Sequence, residues 1–200
     1  MSPSLPGLPV EFIGSFPDSL HPLDPALPEV AFLGRSNVGK SSLLNALTGH
    51  PKLARVSRTP GRTTAMNVFR YPEFYLVDLP GYGFAKASHT ARAEFSNLLE
   101  SYLAQRTTLH AVVWLLDIRH LPSVADQAHR EVLAGRGVPT LVALTKADKL
   151  TRGEQKKQAG AIAVALDLPE DQFHLTSSSA RTGIAELDDS IMAALAETAR

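Results

Sequence analysis

Between positions 34 and 41 the chain reads Gly34-Arg35-Ser36-Asn37-Val38-Gly39-Lys40-Ser41, the spacing G-x-x-x-x-G-K-S. Its two glycines let the backbone wrap closely enough for successive N–H groups to face phosphate oxygens. Lys40 is then placed to reach the β- and γ-phosphates, and the Ser41 hydroxyl to ligate Mg²⁺. An apolar run precedes the loop and a helical pattern follows it, so a helix N-terminus adds its positive end. This chemistry defines a nucleoside triphosphate site without choosing the base.

The base is chosen further along. Thr145-Lys146-Ala147-Asp148 closes an apolar run, at the strand end where open α/β sheets bind ligands. A carboxylate at Asp148 accepts from guanine N1–H and from its exocyclic amine. Adenine has neither donor there, and sites built on such pairing discriminate by roughly 10⁴–10⁵. Lys146 would lie across the base. An ATP-dependent small-molecule kinase would share the first loop, but Asp148 argues against it. Asp78-Leu79-Pro80-Gly81 also ends a strand-like run. Its aspartate suits Mg²⁺ through water, and Gly81 lets a backbone N–H swing to the γ-phosphate.

Two further segments complete the set. In Arg58-Thr59-Pro60-Gly61-Arg62-Thr63-Thr64, followed by Ala65, Thr63 is the expected second hydroxyl on Mg²⁺, with Thr64 as its alternative. Departure of Thr63 after hydrolysis would release this loop. Thr176-Ser177-Ser178-Ser179-Ala180 follows the last strand and offers backbone N–H groups to guanine O6. Ser177–Ser178 and Ser179–Ala180 are both conceivable donors. Tyr82 stands where many GTPases carry a water-orienting glutamine, so slow intrinsic hydrolysis is expected. Lys40, Thr63 and Asn37 are the candidate catalytic residues, and Asn37 either ligates K⁺ or simply suits a tight turn.

The elements that must hold these segments can be read from apolar periodicity. Glu29–Leu33, His110–Asp117, Thr140–Thr145 and Phe173–Thr176 read as buried strands. Asn67–Tyr71 and Phe74–Asp78 flank Pro72-Glu73 and read as an antiparallel hairpin. Between the strands lie amphipathic helices, one carrying Phe95, Leu98, Leu99, Tyr102 and Leu103, the last carrying Ile184, Leu187, Ile191 and Leu195. Ser123 with Asp126, and Thr151 with Glu154, have capping-box spacing. The expectation is a mostly parallel six-stranded α/β sheet with one antiparallel strand and helices on both faces.

Seven of the 14 prolines fall in the first 28 residues. Residues 1–28 therefore read as an irregular leader, ordered at most around Val10–Phe16, before one domain over 29–200. The start has no basic n-region or long apolar run, and no stretch approaches about eighteen apolar residues, so neither signal peptide nor membrane span is expected. Absence of cysteine fits a reducing cytoplasm. Seven scattered histidines lack metal-ligand spacing. Net charge is zero, yet Val30–Pro72 has no acidic residue and holds Arg35, Lys40, Lys52, Arg55, Arg58, Arg62 and Arg70. Such a local field suits a polyanion, either nucleotide or nucleic-acid backbone.

Taken in order, GRSNVGKSSLLN, TPGRT, DLPGYGFA, LDIRH (Leu116–His120) and LTKADKL (Leu144–Leu150) resemble the EngB (YihA/YsxC) ribosome-assembly GTPases of the TRAFAC class. The resemblance runs from about Val10 to Leu195. It implies a single Ras-like domain, GTP or GDP with Mg²⁺, a monomer, and work on the precursor of the large ribosomal subunit, with a link to cell division and septation. By the same resemblance Ser41 and Thr63 are Mg²⁺ ligands, and Gly34–Ser41, Gly61–Ala65, Asp78–Gly81, Thr145–Asp148 and Thr176–Ser178 contact the nucleotide. Asn37 matches the asparagine of potassium-activated GTPases. A scaffold for division machinery that uses GTP only structurally is the alternative.

Overall fold

The strand Glu29–Gly34 is buried at every position, and its side chains divide between two cores. Val30 and Phe32 face one layer, whereas Ala31 and Leu33 face the other. A strand covered on both faces must be apolar throughout, which is why the run carries no alternation. The computed structural model describes residues 4–54, 65–83 and 89–197.

In chain order the strands are β1 Glu11–Phe16, β2 Glu29–Gly34, β3 Met66–Arg70, β4 Tyr75–Asp78, β5 Leu109–Asp117, β6 Thr140–Thr145 and β7 Phe173–Leu175. The helices are α1 Lys40–Thr48, α2 His89–Gln105, α3 Val124–Arg136, α4 Arg152–Leu166 and α5 Ile184–Glu197. The sheet order is β1-β3-β4-β2-β5-β6-β7, with β2 pairing in parallel to both β4 and β5. The Pro72-Glu73 hairpin is present, with Asn67 opposite Asp78. As β1 is antiparallel to β3, β3 is the strand that opposes all the others. One core layer packs Leu43, Leu44, Leu47, Leu187 and Ile191 from α1 and α5 on the sheet. The opposite layer packs Leu99, Tyr102, Leu133 and Ile162 from α2, α3 and α4. Both capping boxes form: Ser123 with Asp126, and Thr151 with Glu154, bond reciprocally.

The sheet has seven strands rather than six. The additional one, β1, comes from the proline-rich leader and lines the edge of β3, with Glu11 opposite Arg70 and a bulge between Phe12 and Gly14. Its alternation is masked by that bulge and by a largely exposed surface, so periodicity alone gives little signal. Phe12 packs its ring 5.4 Å from Phe69. Further back, Leu5 is fully buried against the α1–α5 layer, and its N–H donates to Asp188 Oδ1 at 3.1 Å. The end of α2 is tied down as well. Buried Glu29 accepts from Tyr102 (2.7 Å), Arg106 Nε (2.8 Å) and Thr108, while Arg106 donates to the His21 carbonyl.

Candidate functional site

Parallel strands β4, β2, β5 and β6 end side by side, so the loops that follow them meet at one rim of the sheet. Gly34 ends β2, and the chain turns through Asn37 (φ 65°) and Gly39 (φ 106°) into α1 at Lys40. Gly39 answers a backbone requirement, since a side chain is strained at that φ. Among the described residues no side chain caps α1, which leaves its first-turn N–H groups at the loop that the sequence assigns to phosphate. Ser41 lies in the first turn.

The end of β4 comes next to this loop. Asp78 pairs in register with Phe32, is 4% exposed, and forms an ion pair with Lys40. Asn67 donates to its second oxygen at 3.5 Å. Leu79 and Pro80 are buried, and Leu79 N–H donates to the Phe32 carbonyl at 3.1 Å. Gly81 presses on the phosphate loop Gly34–Ser41 (the P-loop): a Cβ there would sit 2.8 Å from Ser36 Oγ and 3.1 Å from the Ser36 nitrogen. A side chain there would force the Ser36 hydroxyl to turn and its backbone to give by a few tenths of an ångström.

From the other side β6 delivers Thr145–Asp148. The Thr145 hydroxyl, itself buried, donates to the Val38 carbonyl at 2.7 Å. Lys146, in the left-handed conformation, donates to the Asn37 carbonyl at 2.7 Å and to Asp117 Oδ2 at 2.8 Å. Two side chains of T-K-x-D thereby fasten β6 to the phosphate loop. Burial works against charge on Asp117, but hydrogen bonds from Arg119 and Lys146 win and hold its carboxyl well below the usual carboxylate range. Asp117 is a member of the site that motif reading left without a role. The clue was positional: it ends β5 directly beside Thr145 of β6.

The last segment braces Asp148, the residue that the sequence assigns to the base. Ala147 N–H donates to the Thr176 carbonyl at 3.1 Å, and Thr176 N–H to Leu144 at 2.8 Å. Ser177, 1% exposed, donates its hydroxyl to Asp148 Oδ1 at 2.6 Å, and Lys149 pairs with the other oxygen at 3.0 Å. Together they lower the Asp148 carboxyl to about 2, the Ser177 bond contributing most. Both donor pairs weighed from the sequence are half committed. The Ser177 N–H bonds the Thr182 carbonyl, and the Ala180 N–H bonds Ser177 Oγ. Among the described residues, Ser178 and Ser179 are the members of this loop whose N–H groups carry no such bond.

Two parts of the sequence reading fare differently. Gly61, Arg62, Thr63 and Thr64 lie outside the described residues, whereas Ala65 is half-buried immediately before β3. Tyr82 is 4% exposed and turned into the core, where its hydroxyl donates to Asp126 at 2.7 Å. It is therefore no surface substitute for glutamine. Beside the P-loop, Arg35, Asn37, Asp117, Arg119, His120 and Lys146 bound a cleft of about 430 Å³. Among the described residues no helix is long and apolar enough to cross a membrane.

Residues 29–146 match a family model described as a 50S ribosome-binding GTPase. A protein of Desulfitobacterium hafniense called "Probable GTP-binding protein EngB" is 43% identical over 166 residues, spanning 82% of this chain and 83% of that protein. The fold is similar to the crystal structure of a probable GTP-binding protein engB, with a TM-score of 0.71, 22% identity, and coverage of 84% of this chain and 99% of that one. It is also similar to Era in complex with MgGDPNP and nucleotides 1506–1542 of 16S ribosomal RNA, with a TM-score of 0.63 and 22% identity. That match covers 83% of this chain and 56% of Era.

Proposed function

Since the chain belongs to the EngB family of GTP-binding proteins and is a GTPase, we propose that it is a nucleotide-controlled switch that binds a large-subunit ribosomal precursor in its GTP form and leaves as GDP. One observation carries the nucleotide half: the P-loop, Asp78–Gly81, Thr145–Asp148 and Thr176–Ser178 meet at one sheet rim, bonded to one another. Asp148 reads guanine from its N1 side, and the N–H groups of Ser178 and Ser179 face O6. The hard oxygen donors of Ser41 and Asp78 suit Mg²⁺, with Thr63 as the further hydroxyl. Such an ion neutralises charge on the β- and γ-phosphates when bound. Asn37 is the candidate ligand for K⁺. With Tyr82 buried and unable to orient water, intrinsic hydrolysis is slow and rises on the particle.

The ribosomal half rests on the family description, on the RNA bound by the similarly folded Era, and on the acid-free basic stretch 30–72. Its phosphate contacts make binding steeply salt-dependent. A place in the cytoplasm, and a link to division that acts through ribosome supply, follow from that reading. Co-sedimentation with large-subunit precursors tests it: the particle should retain the protein with a GTP analogue and release it with GDP. Equal binding in both states would favour the scaffold reading instead. Rates equal in K⁺ and Na⁺, with and without particles, would remove the K⁺ assignment.

A further inference from the structure

Tyr82 is bonded to three parts of the molecule at once. Its backbone pairs with the P-loop on both sides: Ser36 N–H donates to the Tyr82 carbonyl at 2.8 Å, and Tyr82 N–H donates to Gly34 at 3.4 Å. Its hydroxyl donates to Asp126 Oδ1 at 2.7 Å and accepts from Trp114 Nε1 at 3.0 Å. Its ring meets His129 edge-on, centroids 4.3 Å apart.

The acceptor is itself fixed. Asp126 is 2% exposed, and its second oxygen accepts from the Ser123 N–H (2.7 Å) and hydroxyl (2.6 Å) in the capping box of α3. Burial, and then the Asp126 charge, push the Tyr82 phenol well above its ordinary range, so it remains a donor at any working pH. On the upstream side Leu79 is fully buried and bonded to Phe32. Gly81 thus stands between two anchored neighbours. Pro80 has no N–H, which makes the Gly81 N–H the first donor available to a γ-phosphate after Asp78.

We infer that Tyr82 is a positioning residue for GTP hydrolysis: a fixed pivot, held by Asp126 and Trp114, that confines the nucleotide-driven movement of this loop to Gly81. The pivot stays closed with either nucleotide, and the peptide before it turns. Its value is geometric, because a displacement of about 1 Å at a reacting centre can cost on the order of 10²-fold in rate. This inference rests on the GTPase activity and not on the ribosomal reading, so its failure would leave the co-sedimentation result untouched.

The tests are Tyr82→Phe, which removes the hydroxyl and keeps the ring, and Asp126→Asn, which weakens its acceptor. Both should keep GDP affinity within about twofold, while GTP-analogue affinity and kcat each fall about tenfold. The chain has a single tryptophan, Trp114, bonded to the pivot, so its emission reports on the latch directly. In the unmodified protein that emission should be the same with GDP and with the analogue, and in Tyr82→Phe it should become nucleotide-dependent. Equal losses for both nucleotides, or unchanged kcat in both variants, would assign Tyr82 a purely structural role. If neither variant folds, a Trp114 emission change between nucleotides in the unmodified protein overturns the pivot by itself.

Discussion

A carboxylate proposed to read guanine has to remain ionised, and Asp148 is held so by two neighbours. The Ser177 hydroxyl contributes most, followed by Lys149, and together they bring the group from its ordinary 3.8 to about 2. The sign follows from linkage. A depressed carboxylate contributes above its unperturbed value, and the contribution disappears as pH falls through the lowered one. GDP affinity owed to Asp148 should therefore persist well below pH 4. Ser177→Ala removes the larger cause, so its loss of affinity should begin at a higher pH than in the wild type. Fluorescent-GDP titration of both proteins checks this, since protonation of the phosphates is common to the two. Asp148→Asn gives a complementary result. An amide presents one acceptor and one donor, which matches the N1–H and C2 carbonyl of xanthine. GDP affinity should fall by about 10²-fold or more, with XDP recovering most of it. Undiminished GDP binding in Asp148→Asn would remove Asp148 as base reader.

The elements show why some of this was legible in the chain and some was not. The Thr151–Glu154 box was readable because its spacing carries its own geometry, and both bonds form. It does more than start α4. Gln155, in the turn it nucleates, donates to the Ala147 carbonyl (2.8 Å) and the Leu150 carbonyl (3.1 Å), which steadies the loop holding Asp148. Thr151→Ala should cost about 1 kcal/mol in urea denaturation, and an unchanged midpoint would show that the box is redundant. Strands β2, β5 and β6 were likewise plain, because burial on both faces demands unbroken apolar runs. What local pattern could not supply was pairing over distance. Strand β1 exists because β3, some 55 residues later, offers it a free edge. Asp117 meets Lys146 across 29 residues, and Tyr82 meets Asp126 across 44. The glutamine position after D-x-x-G fixed where Tyr82 lies in the chain but not which way its ring turns.

At the scale of the whole molecule, the leader is a strap along the sheet edge that packs on both layers. It pairs with the sheet through β1, reaches the end of α2 through His21, and buries Leu5 against α1 and α5. Leu5→Ala should cost about 2–3 kcal/mol if the strap folds with the domain, and much less if it frays independently. Asp188 allows a sharper test. It is 5% exposed, and burial raises its carboxyl above the ordinary 3.8, opposed by the Leu5 N–H bond and reinforced by Asp189. Close by, the Tyr71 hydroxyl is buried with no partner among the described residues, and Tyr71 too is raised by burial and by the Asp188 charge. For an acid with a raised folded value, stability is fully present below the unfolded value and is lost as pH rises through the folded one. The charged strap is thus the weaker one at neutral pH. Asp188→Asn keeps an oxygen to accept from Leu5 while removing the desolvated charge. It should match or exceed the wild type in denaturant midpoint at pH 7, and the difference should vanish once the pH lies below the ordinary carboxylate value, where Asp188 is protonated in the folded and unfolded chain alike. A variant weaker than wild type at pH 7 would mean that the charged bond to Leu5 outweighs the burial of its acceptor.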